Sequence, residues 1–238
     1  MSYSPPKQLS LGVSLEDDAT FDNFYTARRS HNAQVVAALR AQLDATGEPY
    51  LFLWGAPGVG LTHLLQAACH QAEAQGLGMQ YLPLQELVGF APEQLLDGLE
   101  ALDFVCLDGL HWVAGNAVWE RALFNLYNRL RDSGKRLLIA AHQSPRELPI
   151  ALADLQSRLH WGVTFQVHNL SDADKQAALQ MRARARGLEL SDEVAQFVLH
   201  RAPRDMNELF CYLKRLDDAS LAEQRKLTIP FVKRTLGI

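Results

Sequence analysis

Tyr50-Leu51-Phe52-Leu53-Trp54 runs straight into Gly55-Ala56-Pro57-Gly58-Val59-Gly60-Leu61-Thr62, and this junction decides the fold. Five apolar residues closed by a glycine-rich turn read as a buried strand. From Leu61 to about Gln75 the chain turns amphipathic at helical spacing, so the turn joins a strand to a helix. Strand, glycine-rich loop and helix in that order form the phosphate-binding P-loop pattern. Its glycines let backbone N–H groups close around phosphate oxygens, and the helix N-terminus adds a partial positive charge. Gly55, Pro57, Gly58, Val59, Gly60, Leu61, Thr62 and His63 are therefore candidate nucleotide-binding residues.

One position departs from the pattern. Leu61 stands where the lysine that reaches the β- and γ-phosphates belongs, while Thr62 keeps the hydroxyl that binds Mg²⁺. A charge-assisted hydrogen bond is worth about 1.5–3 kcal/mol, so its loss weakens nucleotide binding by roughly one to two decades, most of all for a triphosphate. A glycine-rich turn that binds nothing is the competing reading. Phe104-Val105-Cys106-Leu107-Asp108 is an apolar strand ending in a carboxylate, the form of a Walker B segment. Asp108 would hold Mg²⁺ with Thr62, directly or through water, as a weak metal site. Gly109 follows, where an active ATPase carries a second acid, so hydrolysis of the chain's own nucleotide is not expected.

Strand and helix signals alternate outward from this junction. Met79–Leu82, Phe104–Leu107, Leu137–Ala141 and Val163–Val167 read as further strands, and residues 117–131 as a helix. That alternation implies βαβ units and a five-stranded parallel sheet, an α/β domain over residues 19–168. From Ser171 the pattern is purely helical, with Ser171-Asp172 and Ser191-Asp192 as N-caps, so residues 169–238 read as a small all-helical lid. Residues 1–18 read as a flexible tail.

The 238 residues are 48% hydrophobic and 21% charged, with a net charge of −4. Residues 1–168 carry a net −6 and residues 169–238 a net +2, so no basic field covers the chain and little direct nucleic-acid binding is expected. Cys69, Cys106 and Cys211 match no metal spacing, and each sits in an apolar run, which predicts buried free thiols in a reducing cytoplasm. No run approaches the 18 or more apolar residues of a membrane span, so a cytoplasmic protein is expected.

Three further stretches carry a family likeness. Thr20-Phe21-Asp22-Asn23-Phe24, Asp154-Leu155-Gln156-Ser157-Arg158-Leu159 and Leu227-Thr228-Ile229-Pro230-Phe231-Val232-Lys233, taken with the P-loop, resemble the AAA+ core of the bacterial initiator DnaA and, more closely, the Hda regulators related to it. The resemblance implies an AAA+ P-loop domain with a helical lid. It places Phe21 and Asn23 beside the adenine, Arg158 as an arginine finger acting in trans on a neighbour's nucleotide, and Arg204 as the sensor-2 arginine of the lid. Gln8-Leu9-Ser10-Leu11 resembles the motif by which Hda proteins dock on the DNA polymerase sliding clamp. His142 falls at the sensor-1 position, where the initiator has Asp; it contacts phosphate or caps the strand. Phe124, Tyr127 and Asn128 recur at helical spacing: the aromatic pair reads as core, and Asn128 as solvated or facing a partner. The initiator continues into a helix-turn-helix domain and this chain stops at Ile238, which favours a regulator over an initiator.

The expected role is regulation of replication initiation by promoting hydrolysis of DnaA-bound ATP from the clamp. DnaA and the clamp are the implied partners, with ADP or another nucleoside diphosphate as cofactor, Mg²⁺ optional and a homo-oligomer left open. Two rivals remain: an autonomous AAA+ ATPase such as a helicase loader, and a nucleotide-free adaptor with a vestigial P-loop.

Overall fold

The structure, a computed structural model, describes residues 15–201 and 205–238. The chain begins in α1 (His31–Gln42), β1 (Tyr50–Trp54), α2 (Leu61–Ala74) and β2 (Met79–Pro83). The short helices α3 (Leu84–Leu87) and α4 (Pro92–Leu95) lead to β3 (Phe104–Asp108), α5 (Ala117–Asp132), β4 (Arg136–Ala141), α6 (Ala153–Leu159) and β5 (Val163–Gln166). Among the described residues the five strands form one sheet in the order β2-β3-β4-β1-β5, every pair parallel. The expected strands stand within a residue of their expected limits.

Parallel strands joined by crossover helices are covered on both faces, which is why they read as unbroken apolar runs. Along β1, Leu51 and Leu53 pack with α1 and α2 on one face, together with Phe104, Cys106, Leu138 and Ala140. Phe52 turns to the other face and joins Val105, Leu107, Leu137 and Ile139 against Trp119, Leu123, Leu126 and Leu130 of α5 and Leu155 and Leu159 of α6. The sheet order leaves β1 between β4 and β5, so the P-loop leaves from inside the sheet.

Among the described residues four helices follow: α7 (Asp172–Ala185), α8 (Asp192–Arg201), α9 (Met206–Glu223) and α10 (Ile229–Leu236). They enclose their own core of Leu179, Val194, Val198, Leu209, Leu213, Phe231 and Val232. Ser171, Asp205 and Thr228 cap α7, α9 and α10 by accepting first-turn N–H groups. Cys69 and Cys106 are buried, as expected, but Cys211 is exposed. It lies on α9 between Leu209 and Leu213, the inward positions of that turn, so its apolar neighbours do not enclose it.

Residues 15–18 differ from the flexible tail expected of them. The Glu16 N–H donates to Gln66 Oε1 at 3.1 Å, and the Glu16 carbonyl lies 3.0 Å from His70 Nε2 on the same helix. Asp18 accepts from Arg182 Nη2 at 2.8 Å, on α7, and from Arg186 Nη2 at 3.3 Å, the residue that ends that helix. The Asp18 carbonyl takes a second bond from Arg182, at 3.1 Å, and Arg182 stacks over Phe210. This segment therefore straps α2 of the sheet domain to α7 of the lid. Arg182 is 8% exposed at the side chain and Asp18 45%. Breaking a fully buried pair costs about 3–5 kcal/mol, and the half-exposed carboxylate lowers that to about 1–2 kcal/mol here. Asp18→Ala is expected to lower the urea unfolding midpoint correspondingly; an unchanged midpoint would mean the strap contributes nothing to folding.

Candidate functional site

Gly60 is the N-cap of α2 at φ 93°, with no side-chain cap, so the first N–H groups of the helix have no capping side chain. A β-carbon at Gly60 would sit 2.7 Å from the Phe24 ring, and one at Gly58 (φ 82°) would meet the Asp205 carboxylate of the lid. Leu61 is 7% exposed and packed in the α1–α2 face of the core. The residue in the lysine position is thus part of the sheet packing and does not project over the loop. Of the other loop residues, Gly55 is buried, Pro57 and Thr62 are exposed, and Val59 is half-buried.

Asp108 lies at the C-terminal end of β3, within reach of Thr62. Thr62 Oγ1 donates to Asp108 Oδ2 at 2.7 Å, and the Tyr81 hydroxyl donates to the same oxygen at 2.6 Å. Burial and the neighbouring Asp108 carboxylate raise the Tyr81 pKa, so its proton stays on. A hydroxyl and a carboxylate side by side are hard oxygen donors of the kind Mg²⁺ takes, so Thr62 and Asp108 fit that ion by type. Gly109 has φ 84°, and a β-carbon there would lie 2.7 Å from Trp112 Cδ1. A second acid at this position would be strained as well as crowded. The His142 N–H donates to His111 Nδ1 at 3.3 Å, and the two rings stack at 4.0 Å. His142 thus engages its neighbour through its backbone and presents an exposed ring.

The segment beside the loop is arranged differently from its expected reading. Phe21 is 7% exposed and packed in the core, with the Arg40 guanidinium 5.0 Å above its ring. Asn23 Nδ2 donates to the Asp18 carbonyl at 2.9 Å. The aromatic ring of this segment that reaches the loop is Phe24, against Gly60 and 5.7 Å from the His63 ring. His63 Nε2 lies 2.8 Å from the Thr20 carbonyl, so the neutral ring donates there.

Arg158 stands near the C-terminus of α6, beside Tyr50 at the end of β1 away from the P-loop. Its Nε donates to Asn128 Oδ1 at 3.2 Å, and its guanidinium stacks on Trp161 at 3.9 Å. Asn128, expected to be solvated or to face a partner, is half-buried and bonded within the chain. It follows Tyr127, which is buried and stacked on Tyr50 at 4.8 Å, fixing this face of α5. Phe124 is only half-buried and lies 5.9 Å from Arg158. Trp161 is 56% exposed, with Arg131 5.7 Å from its ring. Arg204 and Gln8-Leu9-Ser10-Leu11 lie outside the described residues.

Tyr81, Trp161, Asp205 and Asp18 did not enter the sequence reading of the site. Tyr81 carries the only available signal, a tyrosine in the strand beside the Walker B strand.

A sequence model of the bacterial DnaA ATPase domain matches residues 15–166. The chain belongs to that family. A model of the Hda lid domain matches residues 172–236, so the whole is an Hda-like, DnaA-related AAA+ protein. Solved structures agree on the fold. Domain III of the Thermotoga maritima replication initiation protein DnaA superposes with a TM-score of 0.79 at 22% identity, covering 94% of this chain and 98% of that one. The replication initiator DnaA bound to AMPPCP and single-stranded DNA gives 0.73 at 21% identity over 89% of this chain and 69% of that one. The Thermotoga maritima RuvB Holliday junction branch migration motor gives 0.68 at 16%, over 92% and 71%. Among the described residues of this DnaA-related chain, no helix is long and apolar enough to cross a membrane.

Burial lowers the His63 pKa from its ordinary 6.5. The unfolded chain therefore takes up this proton first as pH falls. The neutral ring's contribution is present above about pH 6.5 and is lost as pH falls through the lower folded value. His111, also lowered by burial, adds the same sign. The thermal midpoint is expected to drop between pH 7 and pH 5, and His63→Gln should make that drop shallower; identical pH profiles would contradict this placement.

Proposed function

We propose that this chain regulates replication initiation by placing Arg158 against ATP held by DnaA and promoting its hydrolysis, without turning over nucleotide itself. The supporting observation is how Arg158 is held. The guanidinium lies over Trp161, 3.9 Å from the ring centroid, and is tethered at Nε by Asn128, an arrangement that leaves its two terminal nitrogens for another group. Among the described residues no carboxylate forms an ion pair with it, whereas Arg129 and Arg182 are paired with Glu100 and Asp18. A planar, forked cation suits a transferring phosphoryl group, and such fingers contribute on the order of 10³–10⁵ in rate.

Leu61 and Gly109 favour the same division of labour. The chain's own site lacks the charge and the second acid that hydrolysis needs, so its nucleotide, ADP or another nucleoside diphosphate, serves to join loop and lid. Gly55, Pro57, Gly58, Val59, Gly60 and Thr62 would hold the phosphates from the loop, with Arg204 contributing from the lid and Phe24 and His63 at the base side. Docking on the sliding clamp would run through Gln8, Leu9, Ser10 and Leu11, a short extended peptide presenting a hydrogen-bonding Gln and spaced apolar side chains. Residues 19–168 would act as the nucleotide-binding unit and 169–238 as its lid.

The test follows hydrolysis of ATP preloaded on DnaA with clamp and DNA present. Arg158→Ala is expected to abolish stimulation while leaving complex formation nearly unchanged, because the contact strengthens in the transition state. Arg158→Lys should restore little, since an ammonium lacks the planar fork. Removing residues 1–13 should abolish stimulation only where it depends on the clamp, separating docking from chemistry. Full stimulation by the alanine variant would refute the role given to Arg158.

A further inference from the structure

Trp161 is 56% exposed, an uncommon state for so large an apolar side chain, yet it is held more tightly than an exposed ring needs to be. Its backbone N–H donates to the Arg158 carbonyl at 3.0 Å, in the turn that ends α6. The next residue, Gly162, passes so close to β1 that a β-carbon there would run into the Tyr50 carbonyl. The ring is thus tied at one end to the residue it carries and at the other to the sheet. Arg158 Cζ lies 3.9 Å from the indole centroid, whereas the Phe124 ring stands at 5.9 Å, so the indole is the closer support. Arg131 lies 5.7 Å from the same indole and is paired with Asp132 at 3.0 Å, so that carboxylate already has its cation.

We propose that Trp161 is the positioning residue for Arg158, its indole holding the guanidinium in the orientation offered to a partner's nucleotide before that partner arrives. The inference rests on the role given to Arg158 above. An arginine has a long, flexible stem, and ordering it at the moment of reaction would charge that lost entropy to the rate. Asn128 alone cannot order it, because a single bond at Nε leaves the guanidinium free to pivot. A ring against the face of the cation removes the pivot, since the attraction requires the cation to stay over that face. The contact also uses no N–H donor, so the terminal nitrogens keep theirs for phosphate oxygens. A carboxylate could hold the arginine as firmly, but it would occupy those donors and offset the charge. An aliphatic side chain would fill the space without attracting the cation. The aromatic ring alone orients the group and leaves both its charge and its fork available.

The test follows hydrolysis of ATP preloaded on DnaA, with clamp and DNA present, against the concentration of this chain, separating the saturated rate from the half-saturating concentration. Trp161→Ala is expected to lower the saturated rate by about tenfold or more, since a small misplacement of a reacting group can cost about 10²-fold. The half-saturating concentration should move by less than about threefold, because the ring acts on the reaction and not on docking. Trp161→Phe should recover most of the rate and Trp161→Leu little, as only the former keeps a π face. In an Arg158→Ala chain, adding Trp161→Ala should leave complex formation unchanged, since the ring then has nothing to position. A Trp161→Ala chain that saturates at the wild-type rate would overturn the proposal. So would a loss confined to the half-saturating concentration, or a weaker complex in the Arg158→Ala background, either of which would make the indole a docking contact in its own right. If Trp161→Ala does not fold, the phenylalanine and leucine variants decide the matter, and equal rates from the two would refute it. Full stimulation by Arg158→Ala alone would remove the reading of function first, an outcome distinct from any result with the Trp161 variants.

Discussion

β1 is hydrogen-bonded on one edge to β4 and on the other to β5, and three of its five residues are buried. A strand so placed cannot shift without opening the whole sheet, and the P-loop leaves directly from its C-terminal end. The neighbouring strand ends carry the other groups of the site. β3 delivers Asp108, β4 delivers His142 beside it, and the turn before β5 delivers Trp161 under Arg158. In open α/β sheets ligands bind outside the carboxyl ends of the strands. Here that edge carries the P-loop, Asp108 and His142, while Arg158 lies by Tyr50 at the N-terminal end of β1.

The two departures from an active P-loop site are built into the packing. A lysine at position 61 would have to leave the α1–α2 core cluster to reach a phosphate, or else bury its charge there. A glutamate at 109 would face a left-handed backbone and the Trp112 ring. Each substitution alone is therefore expected to disturb the fold before it restores chemistry. Arg158, by contrast, spends its hydrogen bond and its stacking contact on orientation, which is what a cation offered to a neighbour requires.

The strands were legible because burial on both faces turns them into apolar runs bounded by turns. The lid was legible from its N-caps. Helix α1 was not, since its buried positions include Asn32 and Gln42 beside Val35 and Leu39, which blurs the apolar stripe. Helix α6 is seven residues long, too short for periodicity to stand out. Of the site, the loop and Asp108 were legible as a motif in its setting, while Phe24, Tyr81 and Trp161 were not. Their contributions come from ring positions across elements: a ring against a glycine, a phenol one strand over from its acceptor, an indole three residues beyond the arginine it supports. Local sequence carries none of those distances, and Cys211 shows the converse, an apolar neighbourhood along the chain without enclosure in space.

The central claim is that this chain offers an arginine to a partner's nucleotide and turns over none of its own. It is tested most directly by a mixing experiment in which ATP carrying a γ-phosphate label is loaded first on DnaA alone and then, separately, on this chain alone, with the clamp, DNA and both proteins present in each case. The account predicts that label is released only when DnaA carries it. Release from label loaded on this chain, at a rate matching that from DnaA, would contradict it.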